Sequence, residues 1–109
     1  MGISTHVLDT SRGVPAEGVQ IALSFGMDDG WVERARAVTD ADGRCETLLA
    51  GVIDPGVYRV RFETGAYFAA RGEVCLYPYV EIVFTVRDER HHHIPLLVAA
   101  NGYTTYRGS

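Results

Sequence analysis

Short runs of alternating apolar and polar residues recur along the whole chain, and turn residues separate them. Eight runs predict strands, at a spacing of roughly ten residues. They cover residues 3–8, 19–25, 31–39, 44–49, 57–63, 80–87, 92–98 and 102–106. Many short strands of this kind are typical of two sheets that bury their inner faces against each other. The sequence therefore predicts an all-β fold, a two-sheet antiparallel sandwich of eight strands.

One segment departs from the strand pattern. Residues 64–71 predict a short helix with Thr64 as its N-cap and Gly72 just after its end. The whole chain has 109 residues, which is the length of one domain with a single two-layer core. We therefore expect one domain over residues 1–109, with this helix as its minor element.

Composition narrows the classes of partner and the compartment. The formal net charge is -4, and phosphate binding needs clustered cations, so nucleic acid is not an expected partner. No apolar run is long enough to span a bilayer, so we expect no membrane association. The first residues contain neither a basic region nor an apolar segment, and Cys45 and Cys75 form no close motif. These features predict reduced thiols and a cytoplasmic protein.

Strand alternation places polar side chains where a β core does not need them. His6 shares a face with Leu8 in the first predicted strand. His91 and His93 share a face near the start of a later strand, whereas the intervening His92 points to the opposite face. These histidines are the first candidates for a functional site.

The same residues also allow interpretations without a catalytic role. A single histidine in a strand is more often a surface or hydrogen-bonded residue than a catalyst, and residues 40–43 (DADG) alone indicate a hairpin turn. His91 and His93 could share a zinc ion with His6. No cysteine or carboxylate lies at a complementary ligand spacing, so we predict no metal. No nucleophile elbow is present to support a serine or cysteine nucleophile.

Several motifs in combination, however, resemble the transthyretin-like family. They are THVLD at residues 5–9, GVPA at 13–16, TDADGR at 39–44, TGAYF at 64–68, YP at 77–78, HIPLL at 93–97 and GYTTYRGS at 102–109. The similarity runs through the whole chain in order. The final Tyr-Arg-Gly-Ser is similar to the hydrolase branch of this family rather than to its hormone carriers. One departure is His92, where the hydrolase pattern usually has tyrosine.

The resemblance implies a fold, an assembly and an activity. It implies two four-stranded sheets, dimers formed by edge pairing, and a homotetramer in which two dimers pack around a central channel. The active sites would lie at the dimer–dimer interface. The expected substrate is the small molecule 5-hydroxyisourate, a product of urate oxidation. Its hydrolysis would give 2-oxo-4-hydroxy-4-carboxy-5-ureidoimidazoline without any cofactor.

The same resemblance assigns residues to this reaction. The catalytic positions are His6, Arg44, His93 and Ser109, and the substrate-binding positions are His6, Arg44, Tyr106 and Arg107. One imidazole would act as base and the other as acid, in an order that the residues alone leave open. Arg44 would stabilise the developing oxyanion, and the Ser109 carboxylate would orient a histidine or the water.

Two other classes of function remain as alternatives. A carrier of the transthyretin type would bind a small aromatic ligand in an open, mainly apolar channel. A structural or adhesion sandwich would not need converging polar groups. His6, Arg44 and His93 would make the channel cationic and hydrogen-bonding, which favours the hydrolase.

Overall fold

The computed structural model describes residues 2–109, over which it contains nine strands and one helix. The strands are β1 (Gly2–Asp9), β2 (Val14–Pro15), β3 (Gln20–Met27), β4 (Gly30–Val38), β5 (Arg44–Ala50), β6 (Gly56–Phe62), β7 (Val80–Val86), β8 (His92–Ala99) and β9 (Gly102–Thr105). The helix is α1 (Thr64–Ala69), between β6 and β7.

The strands form two sheets. The first sheet has the order β2-β1-β8-β9, with β5 also paired to β1, and the second has the order β4-β3-β6-β7. Within the first sheet, β5 runs beside residues 2–6 of β1 and β2 runs beside residues 8–9. Strand β8 lies along the other side of β1. The central strand β1 therefore contacts three others.

The predicted sandwich is confirmed. All eight predicted strands are present with ends that differ by at most two residues, and β2 is an additional two-residue strand. The prediction of purely antiparallel sheets was wrong for one pair, because β1 and β8 run parallel. These two strands come from opposite ends of the chain, so no tight turn between them dictates an antiparallel direction.

The position of the helix in the chain was predicted correctly, but its ends were not. Its N-cap is Glu63, not Thr64, and no side chain caps it. The Glu63 carbonyl accepts the first helical hydrogen bond, from Tyr67 at 3.2 Å, while its N–H still bonds the second sheet through Gln20. The strand therefore passes directly into the helix one residue earlier than expected. Gly72 follows the helix, as predicted, and its φ of +73° lies in the left-handed region that favours glycine.

The inner faces of both sheets bury one apolar core. Ile3, Val7 and Leu96 contribute from the first sheet, and Leu23 and Phe62 contribute from the second. Burial alternates along β6 and along residues 5–9 of β1, as the sequence pattern predicts for strands with one face in the core. The polar residues between these positions are thereby turned outwards. Over residues 2–109, no helix has both the length and the apolar character needed to cross a membrane.

A buried carboxylate joins the helix to the end of β1. Asp9 is 0% exposed and accepts hydrogen bonds from the Tyr67 hydroxyl at 2.9 Å and from the Arg12 guanidinium at 3.1 Å. Burial by itself would raise the pKa of Asp9, but the bonds from Tyr67 and Arg12 outweigh it, and the pKa lies below its ordinary value. The ionised form therefore stabilises the fold at neutral pH, and this stabilisation is lost as pH falls through the lowered pKa.

Tyr67→Phe should lower the free energy of unfolding by about 1–3 kcal/mol, because a buried charge loses a hydrogen-bond donor. Urea unfolding at a fixed protein concentration measures the change. Tyr103→Phe, at an exposed tyrosine, is the matched control and should stay within about 0.5 kcal/mol of the parent. Equal stabilities for the two variants would contradict this account of Asp9.

Candidate active site

Strands β1 and β8 place three polar side chains on the outer face of the first sheet. In this parallel pair Ser4 lies opposite His93, and His6 lies opposite Pro95. Side chains alternate between the two faces of a strand, so Ser4, His6 and His93 project from the same face. The intervening Thr5 is buried. The strand pairing thus joins residues from the two ends of the chain.

Arg44 reaches this face because of the turn that precedes it. Its backbone N–H donates to Oδ1 of Asp40 at 2.9 Å, and Gly43 has a φ of +74°. A Cβ at Gly43 would also collide with the backbone of Val7, so the turn requires glycine. In the antiparallel β1–β5 pair Arg44 lies opposite His6, and directly opposed side chains share a face.

The last residues of the chain fold back onto β8. The Gly108 N–H donates to the His93 carbonyl at 2.9 Å, and the two residues form an isolated β-bridge. A Cβ at Gly108 would overlap the His93 imidazole, so the close packing of tail on ring depends on glycine. This contact brings Ser109 to the same face.

These residues surround an open cavity of about 260 Å³ on the outer face of the first sheet. Its lining residues are Ser4, Arg44, Glu46, His91, His93 and Ser109. The volume is close to the lower limit of typical small-molecule sites, roughly 300 Å³. The site is therefore polar, positively charged on one side, and suited to a ligand of one or two small rings.

The hydrogen bonds of His6 identify its protonated nitrogen. His6 Nε2 lies 2.9 Å from the backbone carbonyl oxygen of Asp42. A carbonyl oxygen can only accept, so Nε2 carries a proton and donates it. Nδ1 is consequently the ring nitrogen of His6 left for another partner.

His93 is the most perturbed group of the site. Burial lowers its pKa below the ordinary value of 6.5, and the nearby charges of His6, Arg44 and His91 lower it further. A neutral imidazole at pH 7 can accept a proton, as a general base must. Arg44 itself forms no ion pair within residues 2–109, which leaves its guanidinium available to a ligand.

The structure adds three residues that the sequence interpretation did not assign to the site, namely Ser4, Glu46 and His91. The Ser4 hydroxyl lies between His91 and His93, 2.7 Å from Nε2 of the former and 2.8 Å from Nδ1 of the latter. Strand alternation was the one sequence signal for Ser4 and His91, because Ser4 is two residues from His6 and His91 is two residues from His93.

His92, as predicted, lies on the other face: it is 3% exposed, and its Nδ1 donates to the Arg90 carbonyl.

Tyr106 and Arg107 do not reach this cavity within one chain. They line a separate cavity of about 230 Å³ between β7 and the β8–β9 edge. Tyr106 is 57% exposed, and the Arg107 guanidinium lies 3.4 Å from the His91 carbonyl. The structure thus brings together His6, Arg44, His93 and Ser109, and it leaves the other two predicted binding residues apart.

The imidazoles of the site are held by hydrogen bonds to other protein groups. Within residues 2–109, no group of three or more His, Cys, Asp or Glu side chains is arranged so that it could hold a metal ion. His91 Nε2 and His93 Nδ1 both contact the Ser4 hydroxyl instead.

The fold and the site define a class of protein: a two-sheet sandwich with a polar cavity on one outer face, lined by histidines, an arginine and carboxylates. The model of the HIUase/Transthyretin family matches residues 3–108, and the chain belongs to this family. The resemblance found in the sequence motifs is thereby confirmed.

Individual relatives divide between two activities. The chain is 45% identical to the 5-hydroxyisourate hydrolase of Mus musculus, over 98% of this chain and 94% of the relative. The solved 5-hydroxyisourate hydrolase of Klebsiella pneumoniae is 41% identical, with a TM-score of 0.88 and all of both chains covered. Sea bream transthyretin, solved in complex with thyroxine, is 34% identical with a TM-score of 0.93, covering 99% of this chain and 95% of its own. The fold alone therefore does not separate the hydrolases from this transthyretin.

The His93 imidazole should titrate below 6.5, and Arg44→Gln should raise its pKa by removing a nearby positive charge. NMR titration of the imidazole signals measures both values. Arg36→Gln, in the second sheet, removes an equal charge from the surface and should leave the His93 titration unchanged. An unchanged His93 pKa in the Arg44 variant would show that this guanidinium does not act on the imidazole.

Proposed function

We propose that this chain hydrolyses the small molecule 5-hydroxyisourate to 2-oxo-4-hydroxy-4-carboxy-5-ureidoimidazoline, as a cyclic amidohydrolase that needs no cofactor. The observation that carries the proposal is the cavity in which Arg44, His93 and Ser109 meet beside His6. The names of the mouse and Klebsiella relatives specify the substrate.

Ring opening needs a base, an acid and a stabilised oxygen. A water oxygen forms a bond to a ring carbonyl carbon, and the C–N bond to the neighbouring ring nitrogen breaks. One proton of the water goes to the leaving nitrogen. The second is released, because the new carboxylic acid ionises at neutral pH and the ureido group is not basic.

His93 is the better candidate for the base. Its lowered pKa keeps it neutral at pH 7, and its Nδ1 is already bonded to Ser4, which leaves Nε2 for the water. His6 has its Nε2–H held by the Asp42 carbonyl, so it reaches the substrate through Nδ1 and polarises a substrate oxygen there when the ring is protonated. General acid–base help of this kind contributes about 10²–10⁴-fold in rate.

Arg44 stabilises the negative charge that builds on the carbonyl oxygen. The guanidinium forms no ion pair within residues 2–109 and presents paired N–H donors in a fixed plane, which suits the oxygens of a planar heterocycle. Ser109 also lines the cavity, and its terminal carboxylate orients the water.

We further propose that the active form is a homotetramer, a dimer of dimers. The cavity is open on the outer face of the first sheet, where the apolar Leu8 and Leu97 share the surface with His6. A second copy packed on this face would cover the cavity and separate it from bulk solvent. Tyr106 and Arg107 would then complete the site from a neighbouring copy. A cytoplasmic location stays a prediction.

The carrier is the second candidate, favoured by the TM-score of 0.93 to sea bream transthyretin. A carrier site would be lined mainly by apolar groups, yet this cavity contains Arg44, Glu46 and His93. The chemistry of the lining therefore favours hydrolysis.

Freshly generated 5-hydroxyisourate should lose its ultraviolet absorbance much faster with the purified protein than without it, also in the presence of a chelator. His6→Ala, Arg44→Ala and His93→Ala should each lower kcat by about 10²-fold or more, because each removes an acid–base or oxyanion group. Arg36→Ala, an exposed arginine of the second sheet, is the control and should keep full turnover. Full activity of a folded Arg44 or His93 variant would refute the assigned site.

The packing of the tail on His93 offers a second test. Gly108→Ala should lower kcat, because a methyl group at this position displaces either the imidazole or the tail. Gly102→Ala, where a Cβ meets nothing within 4 Å, is the matched control and should behave as the parent. The same absorbance assay, with circular dichroism as a check of folding, compares them. Undiminished turnover of the Gly108 variant would show that Ser109 and its neighbours are not part of the site.

A further inference from the structure

The Ser4 hydroxyl bridges two imidazoles and has only one proton to give. It lies 2.7 Å from His91 Nε2 and 2.8 Å from His93 Nδ1, and it is 5% exposed. A hydroxyl donates one hydrogen bond and accepts others. With both imidazoles neutral, Ser4 must donate to one ring and accept from the other. The protonation sites of the two rings are therefore coupled through this one side chain.

Two arrangements satisfy both hydrogen bonds. In the first, His93 Nδ1–H donates to Ser4 and the hydroxyl donates to His91 Nε2, so that His93 Nε2 has a free lone pair. In the second, His91 Nε2–H donates to Ser4 and the hydroxyl donates to His93 Nδ1, so that His93 carries its proton on Nε2. The first arrangement makes His93 a base towards the cavity, and the second makes it an acid.

We propose that Ser4 and His91 form a proton relay that converts His93 from base to acid during one turnover. As His93 Nε2 takes a proton from the attacking water, its Nδ1 proton moves to the Ser4 oxygen, and the hydroxyl proton moves to His91 Nε2. His93 is left neutral with its proton on Nε2. When this proton goes to the leaving nitrogen the relay reverses: the Ser4 hydroxyl proton returns to His93 Nδ1 and the added proton of His91 Nε2 returns to Ser4, so that both rings end neutral as they began. This inference rests on the proposed function, since ring opening moves a proton from the attacking water to the leaving nitrogen.

The direction of the relay follows from the surroundings of the two rings. His93 is partly buried, between the tail and β1, whereas His91 is exposed, so solvent stabilises the positive charge that His91 carries until the proton returns. The titratable and charged groups that face His93 are His6 from β1, Arg44 and Glu46 from β5 and the terminal carboxylate of Ser109. Burial of the His93 ring and the charge of Arg44 oppose a lasting positive charge on His93, which favours movement of the proton outwards.

The kinetic test separates a relay from a purely positioning role. Ser4→Ala and His91→Gln should each lower kcat by about 10-fold or more with little change in KM, within the range for a lost acid–base group. The glutamine amide keeps a hydrogen-bonding group but accepts no proton at neutral pH. The proton inventory of kcat in mixed light and heavy water should be curved for the parent and linear for both variants. Ser24→Ala, at a buried serine of the second sheet, is the matched control and should keep parental kcat and curvature.

One kinetic outcome would overturn the relay even if Ser4 matters. Loss of turnover in Ser4→Ala together with parental kcat and curvature in His91→Gln would show that Ser4 only orients His93. Ser4→Thr retains a hydroxyl and should restore most of the turnover lost in Ser4→Ala. A threonine variant as slow as alanine, in a folded protein, would also contradict proton transfer through the hydroxyl.

A measurement without substrate keeps the relay distinct from the proposed function. The ¹⁵N shifts of labelled histidines report which ring nitrogen carries the proton. The relay predicts that His93 populates both neutral forms in the parent and that His91→Gln and Ser4→Ala shift this balance, whereas Ser24→Ala does not. If these variants change which nitrogen of His93 carries the proton, but the protein is inactive on 5-hydroxyisourate, the proposed function is refuted and the coupling of the two rings stands. If the variants leave the His93 protonation unchanged in an active enzyme, only the relay is refuted.

Discussion

The parallel pairing of β1 with β8 is the constraint on which the rest of the site depends. Seven consecutive residue pairs keep one register, from Ile3 opposite His92 to Asp9 opposite Val98. A slip of one residue would exchange the two faces of either strand. His93 would then enter the core and His92 would face solvent. The buried Ile3, Val7 and Leu96 resist this exchange, so the apolar core specifies the register and the register places the imidazoles.

Most of the fold could be predicted from the sequence because strand alternation is a local signal. The strand ends were correct to within two residues, and the faces of His91, His92 and His93 were correct. The direction of β8 relative to β1 could not be predicted, since it depends on contacts between residues almost ninety positions apart. The N-cap at Glu63 was missed because a long-range bond to Gln20 moves the strand–helix boundary.

The candidate site was predictable only in part for the same reason. Motif resemblance assigned His6, Arg44, His93 and Ser109, and the structure places them around or beside one cavity. The role of Ser4 depends on its distance to two rings at the far end of the chain, which no local pattern contains. Tyr106 and Arg107 line another cavity in the single chain, so their assignment to the site depends on the proposed assembly.

A 5-hydroxyisourate hydrolase and a transthyretin solved with thyroxine share this scaffold, and in this chain the candidate site lies on a sheet face outside the core. Solved relatives of both kinds share this fold with TM-scores of 0.88 and 0.93. Outward residues such as Arg44 and His93 can change without altering the inward residues that determine folding. The proposed function therefore depends on the chemistry of the outer face rather than on the architecture.

The most direct test of this account is a crystal structure of the protein with urate, a stable planar fused-ring compound that shares the imide carbonyls of 5-hydroxyisourate. The account predicts urate in the cavity on the outer face of the first sheet, with the Arg44 guanidinium facing a carbonyl oxygen and His93 beside the ring. Urate bound only at another surface, such as the cavity of Tyr106 and Arg107 within a single chain, would contradict it.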